Sequence, residues 1–118
     1  MSVILHITKR DRWAEARKVG GYEDDSLGTQ DFIHCSRPDQ VNSVANSKFR
    51  GQEDLLLLCI DTDKVVSEIR YENCEGGKEL FPHIYGALNL DAVIGVYEFP
   101  TCPEGSFVLP EKLSDNIS

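Results

Sequence analysis

The three histidines of this 118-residue chain share one local pattern. His6 lies in Ile4-Leu5-His6-Ile7-Thr8, His34 in Phe32-Ile33-His34-Cys35-Ser36, and His83 in Phe81-Pro82-His83-Ile84-Tyr85-Gly86. Each is set among apolar residues and has a hydroxyl two positions on: Thr8, Ser36 or Tyr85. On a strand, residues i and i+2 point to the same face, so each imidazole would share a face with its hydroxyl. Imidazole changes charge near neutral pH and serves as acid, base, hydrogen-bond donor or metal ligand. A lone histidine on an apolar strand is more often a satisfied core residue. Three repeats of the pairing point instead to one polar pocket, because buried polar groups need partners. The expected lining is His6, Ser36, His83 and Tyr85, with His34 close by.

Other reactive side chains add less. Cys35 beside His34 is a candidate nucleophile, but neighbours on a strand face opposite ways, which argues against a thiolate–imidazole pair. Cys35, Cys59, Cys74 and Cys102 contain no Cys-x-x-Cys pair, so a zinc knuckle or redox motif is not expected. Lys9, Arg10, Arg12, Arg17 and Lys18 are five of the twelve basic residues, crowded just after His6. They form either a solvated helix face or a local anion site beside the first histidine.

The elements that must position these groups can be read from pattern. Val3–Ile7 reads as a strand. Thr8 stands in an N-cap place with Asp11 three residues on, opening a helix over about residues 9–19. Trp13 and Ala16 mark its inner face, and Gly20-Gly21 ends it. Residues 22–30 form a polar, acidic loop of a length that often carries function. Phe32–Cys35 is a second strand. Ser36 is expected to N-cap a helix running to about Phe49, with Pro38 and Asp39 in its first turn and Val41, Val44 and Ala45 buried. Such a helix start would favour an anion such as phosphate.

Leu55–Ile60 is a continuous apolar run, expected as a central strand buried on both faces. A turn at residues 61–64, a strand over 67–72 and a hairpin-like turn over 73–78 follow. Pro82 cannot donate to a ladder, so its segment is expected at an edge, a bulge or an extended loop. Leu88–Asp91 reads as a turn and Ala92–Phe99 as the last strand. Residues 111–118 are expected to fray. The order gives an α+β fold: a single domain with its core over about residues 3–110, and two helices on a mixed or antiparallel sheet.

Composition bounds the function. Hydrophobic content of 41% and charged content of 27% are those of a soluble globular chain. The longest apolar run, Leu55–Ile60, is far short of the roughly 20 residues of a membrane span. No secretory signal pattern opens the sequence, so a cytoplasmic, thiol-reducing location is expected. A net charge of −8 disfavours a general nucleic-acid partner.

The histidine motifs resemble those of the domain of unknown function 952 family of small bacterial proteins. Carrying the resemblance are His6-Ile7-Thr8, Trp13, Gly20-Gly21-Tyr22, Phe32-Ile33-His34-Cys35-Ser36 and Phe81-Pro82-His83-Ile84-Tyr85-Gly86. It covers about residues 3–110. Gln30-Asp31 departs from the Glu-Gly usual before the second strand. The resemblance implies a split sheet similar to that of ADP-ribosyltransferases and RNA 2′-phosphotransferases, which hold NAD or an ADP-ribose-like group in a cleft. It further implies that His6 with Thr8 contacts the nucleotide and that Tyr22 or Ser36 flanks the nicotinamide. Of the late acids Glu72 and Glu79, either would polarise the ribose, and neither stands in a decisive motif. Fold-level analogy does not fix function.

Three functions follow. The first is an NAD-linked, ADP-ribosyl-type transferase or binder of an NAD-like ligand. In it Ser36 and Arg10, Arg12 and Arg17 hold a pyrophosphate, and His34 or His83 acts as acid or base beside Tyr85 and Glu72. The second is a non-enzymatic module for a small ligand, its histidine–hydroxyl pairs shaping a rigid pocket. The third and least favoured is a metal-dependent hydrolase, since three histidines can hold a catalytic zinc. No His-x-His or His-x-x-x-His spacing calls for one, and no metal ligand is assigned.

Overall fold

A continuous run of seven buried residues, Leu55–Asp61, forms the middle strand of the largest sheet. The computed structural model describes residues 3–22, 32–73 and 79–107. In chain order these are β1 (Val3–Lys9), α1 (Arg10–Val19), β2 (Gly21–Tyr22), β3 (Ile33–His34), α2 (Val41–Lys48), β4 (Leu55–Asp61), β5 (Glu68–Glu72), β6 (Phe81–Tyr85), β7 (Leu88–Asn89) and β8 (Val93–Glu98). Single 3-10 turns occupy Thr62–Lys64 and Leu90–Ala92. Most of the loop expected over 22–30, residues 74–78 of the expected turn, and the tail from 108 lie outside the described residues.

The fold is α+β with two helices, and every described strand pairing is antiparallel. The sheets run β1-β4-β8, β3-β6-β5 and β2-β7. β4 is covered on both faces as its composition demands. Leu58 and Ile60 join a core with Ile4, Ala16, Tyr22, Ile33 and Ile84, while Leu55, Leu57 and Cys59 pack with Leu5, Val41, Ala45 and Phe99. Burying each such leucine stabilises the fold by roughly 1.5–3 kcal/mol.

Four local expectations need correction. Thr8 does not cap α1. Strand pairing carries β1 through Lys9, opposite Leu55, and the Thr8 hydroxyl bonds Tyr22 instead. The helix start is served from outside, where Arg10 N–H donates to the Asp54 carbonyl at 3.0 Å. Ser36 likewise caps no helix. Its N–H and C=O both bond Leu5 at 2.7 Å, so its backbone belongs to a β-bridge and α2 starts five residues later. Arg37–Gln40 is a turn in which Arg37 N–H donates to Gln40 Oε1. The anion site expected at that helix start is therefore absent.

Pro82 sits in the middle strand of its sheet, not at an edge. It is tolerated there because the N–H and C=O of a strand residue face the same neighbour: the gap falls toward Cys35, just past the end of β3, and the pairing with β5 needs no donor at Pro82. Its carbonyl still accepts from Cys35 N–H at 3.0 Å. Finally, Leu88–Asn89 is a short strand against β2. Gly20, in the left-handed region at φ 87°, ends α1 as expected and turns the chain into that pairing.

Candidate functional site

Strand periodicity sorts the histidine motifs onto definite faces. In the β3-β6-β5 sheet, Ile33, Ile84, Ile69 and Cys35 turn to the core. The opposite face carries Phe32, His34, His83, Tyr85 and Glu72. His34 lies directly opposite His83. The adjacent Cys35–Pro82 pair is hydrogen-bonded, so by antiparallel alternation the His34–His83 pair is the close, non-bonded kind. The two rings meet edge to face with centroids 5.3 Å apart. Phe32 stacks on His83 at 4.1 Å, which fixes the ring. Cys35 in the core and His34 on the outer face do not form a nucleophile pair.

His83 is buried and its Nδ1 is 3.2 Å from Glu72 Oε1. The Tyr85 hydroxyl donates to the same carboxylate oxygen. These contacts, Tyr85 first and His83 second, hold the Glu72 carboxyl below the usual glutamate range. An ionised carboxylate only accepts, so Nδ1 of His83 carries the proton. Arg70 lies over the Tyr85 ring at 4.4 Å and donates to Glu68. Glu79 is exposed, 4.0 Å from Arg37, and takes no part.

His6 has a different setting. It is 4% exposed, with Nδ1 2.5 Å from the His34 carbonyl and Nε2 2.8 Å from the Tyr22 hydroxyl. That hydroxyl is in turn 2.8 Å from Thr8 Oγ1. A carbonyl only accepts, so Nδ1 bears a proton. The Tyr22 hydroxyl donates to Thr8 Oγ1. Tyr22 is fully buried, so it flanks no ligand at the surface. His6, Thr8 and Tyr22 thus tie β1, β2 and β3 together.

Between β1, the end of β3, β6 and α2 lies a cavity of about 650 Å³. Its walls include His6, Thr8, His34, Ser36 and His83 of the expected set. Tyr22, Tyr85 and Glu72 are not in the lining; the last two back His83. Lys9 and Arg12 enter from the basic cluster, whereas Arg10 is held by Glu98 and Asp54 on the surface. Sequence reasoning missed Ser43, Ser47, Lys48 and Asn73. The α2 residues had a signal: Ser43–Ser47 and Val44–Lys48 are i,i+4 pairs on neighbouring stripes of one helix face. The described lining holds three cations and no carboxylate, in a chain of net charge −8.

Among the described residues, no group of three or more His, Cys, Asp or Glu is placed to hold a metal ion. His6, with both ring nitrogens bonded, would have to give up a partner to become a third ligand. No helix among the described residues is long and apolar enough to cross a membrane.

The family model described as "Protein of unknown function (DUF952)" matches residues 7–96, a span that includes all of the site except His6 and Leu5. The chain belongs to this family. No curated protein matches it. Among solved structures, the DUF952 chain is similar to CC0527 from Caulobacter crescentus. The crystal structure of that protein is 28% identical, with a TM-score of 0.85, and the match covers 96% of this chain and 99% of that one. A doubly substituted crystal form gives the same values. The solution NMR structure has a TM-score of 0.79 at 28% identity and covers 100% of this chain and 98% of that one.

Proposed function

We propose that this DUF952 chain binds a small phosphorylated ligand of the nucleotide class in the cavity between β1, β3, β6 and α2. ADP-ribose and NAD are the candidates that the sequence resemblance raises. One observation carries the reading: Lys9, Arg12 and Lys48 converge with three histidines on a lining without a described carboxylate. The volume lies in the range of small-molecule sites. Thr8, Ser36, Ser43 and Ser47 supply hydroxyls for an anion or ribose, and Phe49 and Phe81 supply apolar area.

Glu72 is engaged by Tyr85 and His83, which supports a role in orienting His83 over direct contact with a ribose. A second reading, a binding module without chemistry, is favoured by His6, whose nitrogens serve the scaffold. Both readings share the ligand class. Calorimetric titration with ADP-ribose, NAD, ADP and adenosine tests it. The phosphorylated ligands should bind and adenosine should not. Lys48→Ala or Arg12→Ala should weaken binding about tenfold, or about 1.4 kcal/mol. Added salt should also weaken it. Equal binding of adenosine and ADP, or no binding at millimolar ligand, would defeat the proposal.

A further inference from the structure

We infer that the cavity hydrolyses a phosphodiester link, with His83 and His34 as its acid–base pair and water as the nucleophile. This rests on the cavity being a nucleotide site and adds the reaction to it. The starting observation is the pairing of two imidazoles across adjacent strands, 5.3 Å between centroids, both in the wall of a cation-lined cavity. Acid–base work needs one group to take a proton and another to give one, each within reach of the same ligand. Two histidines on one cross-strand pair meet that need without any further element.

The two rings are not equivalent. Glu72 accepts from His83 Nδ1, and Tyr85 fixes the carboxylate that does so. This is the arrangement in which a carboxylate orients an imidazole and stabilises the imidazolium as it forms. His83 is therefore the base and protonated His34 the acid. Glu72 and Tyr85 are positioning residues.

A diester fits this pair better than a monoester. Its single negative charge lets water attack phosphorus, and its alkoxide leaving group needs a proton. A monoester dianion reacts through a looser transition state that asks less of a base. In the step, His83 Nε2 takes a proton from water as the water oxygen bonds to phosphorus. The opposite P–O bond breaks, and its oxygen takes the proton of His34. The products are a phosphomonoester and an alcohol. Solvent then returns a proton to His34 and removes one from His83. No oxidant or reductant is needed. Lys9, Arg12 and Lys48 supply positive charge for the phosphoryl oxygens.

The test uses the full chain with 2′,3′-cyclic AMP, followed by 31P NMR, and bis(p-nitrophenyl) phosphate, followed by absorbance. Binding of 2′,3′-cyclic AMP is measured in parallel by thermal shift. Turnover of either probe is expected. With 2′,3′-cyclic AMP, whose alkoxide leaving group needs a proton, His34→Gln and His83→Gln should each lower kcat by about 100-fold or more while KM changes only a few-fold. Far-UV circular dichroism checks both variants. If buried His83→Gln fails to fold, the half-buried His34→Gln decides alone. Binding without turnover overturns the inference and leaves the nucleotide site standing. Turnover of 2′,3′-cyclic AMP that survives His34→Gln also overturns it. Failure of the wild type to bind removes both.

Discussion

Tyr22→Phe isolates the hydroxyl that joins His6 to Thr8. Tyr22 is 0% exposed, and its ring packs 5.2 Å from His6 and 6.5 Å from Trp13. Phenylalanine keeps that packing and deletes one atom. The atom makes two 2.8 Å contacts, to His6 Nε2 and to Thr8 Oγ1. Each hydrogen bond contributes about 1 kcal/mol net, and a buried partner left unpaired adds a desolvation cost of similar size. The loss should come to about 2–3 kcal/mol. A domain of this length loses roughly 3–5 °C of Tm per kcal/mol, so Tm should fall by about 10 °C. Differential scanning calorimetry with urea unfolding measures it. Exposed Tyr71→Phe is the control, with an expected change within about 0.5 kcal/mol. In a cycle with Thr8→Val, the double variant should lose less than the sum of the singles, because the two share one bond. A Tm shift under about 2 °C for Tyr22→Phe, or strict additivity, would refute the network as a structural tie.

Gly86 has φ 145°, and a Cβ there would lie 2.6 Å from Ser67 Oγ, whose hydroxyl donates to the Ala87 carbonyl. Gly86→Ala should therefore cost about 1–3 kcal/mol in urea unfolding, and a neutral result would show that Ser67 simply swings away. Glu72 has a folded carboxyl held below its unfolded value of 4.5, so its stabilising contribution is complete above that pH and is lost as pH falls through the lower folded value. The stability difference between wild type and Glu72→Gln should accordingly be flat near neutrality and shrink below pH 4.5; growth of the difference in acid would invert the assigned sign. Among the described cysteines, Cys35 and Cys59 are buried, burial raises the Cys59 thiol, and Cys102 is half-buried. Cys102 should thus be alkylated before Cys35 and Cys59 in the native protein, as read by peptide mass spectrometry, and faster labelling of Cys59 would contradict the packing.

Much of the fold was legible where a single physical rule governs. The run at Leu55–Ile60 had to be buried on both faces, and it is. Gly20 had to end α1. The i,i+2 rule placed His83 and Tyr85 on one face, and both now reach Glu72. Where two rules competed, reading failed. Ser36 has the residue type of an N-cap, yet a non-local bridge to Leu5 claims its backbone. Thr8 has the same ambiguity, resolved by Tyr22. Pro82 forfeits only one bond, toward Cys35 just past the end of β3, and its pairing with β5 needs none from it. The cavity's charge was half visible. Lys9 and Arg12 stood out as a cluster, whereas Lys48 joins them only through tertiary packing of α2, and the partition of Arg10 to Glu98 depends on a contact 88 residues away.

Chemical-shift mapping of the 15N-labelled chain with ADP-ribose tests the placement of the ligand most directly. A ligand held in the cavity should shift Lys9, Ser36, Ser47, Lys48 and Phe81 most, with the shifts saturating together and weakening with salt. Shifts gathered instead along the open groove of Asp11, Glu15, Val19, Gly21 and Ala87, or no shifts at millimolar ligand, would contradict that placement.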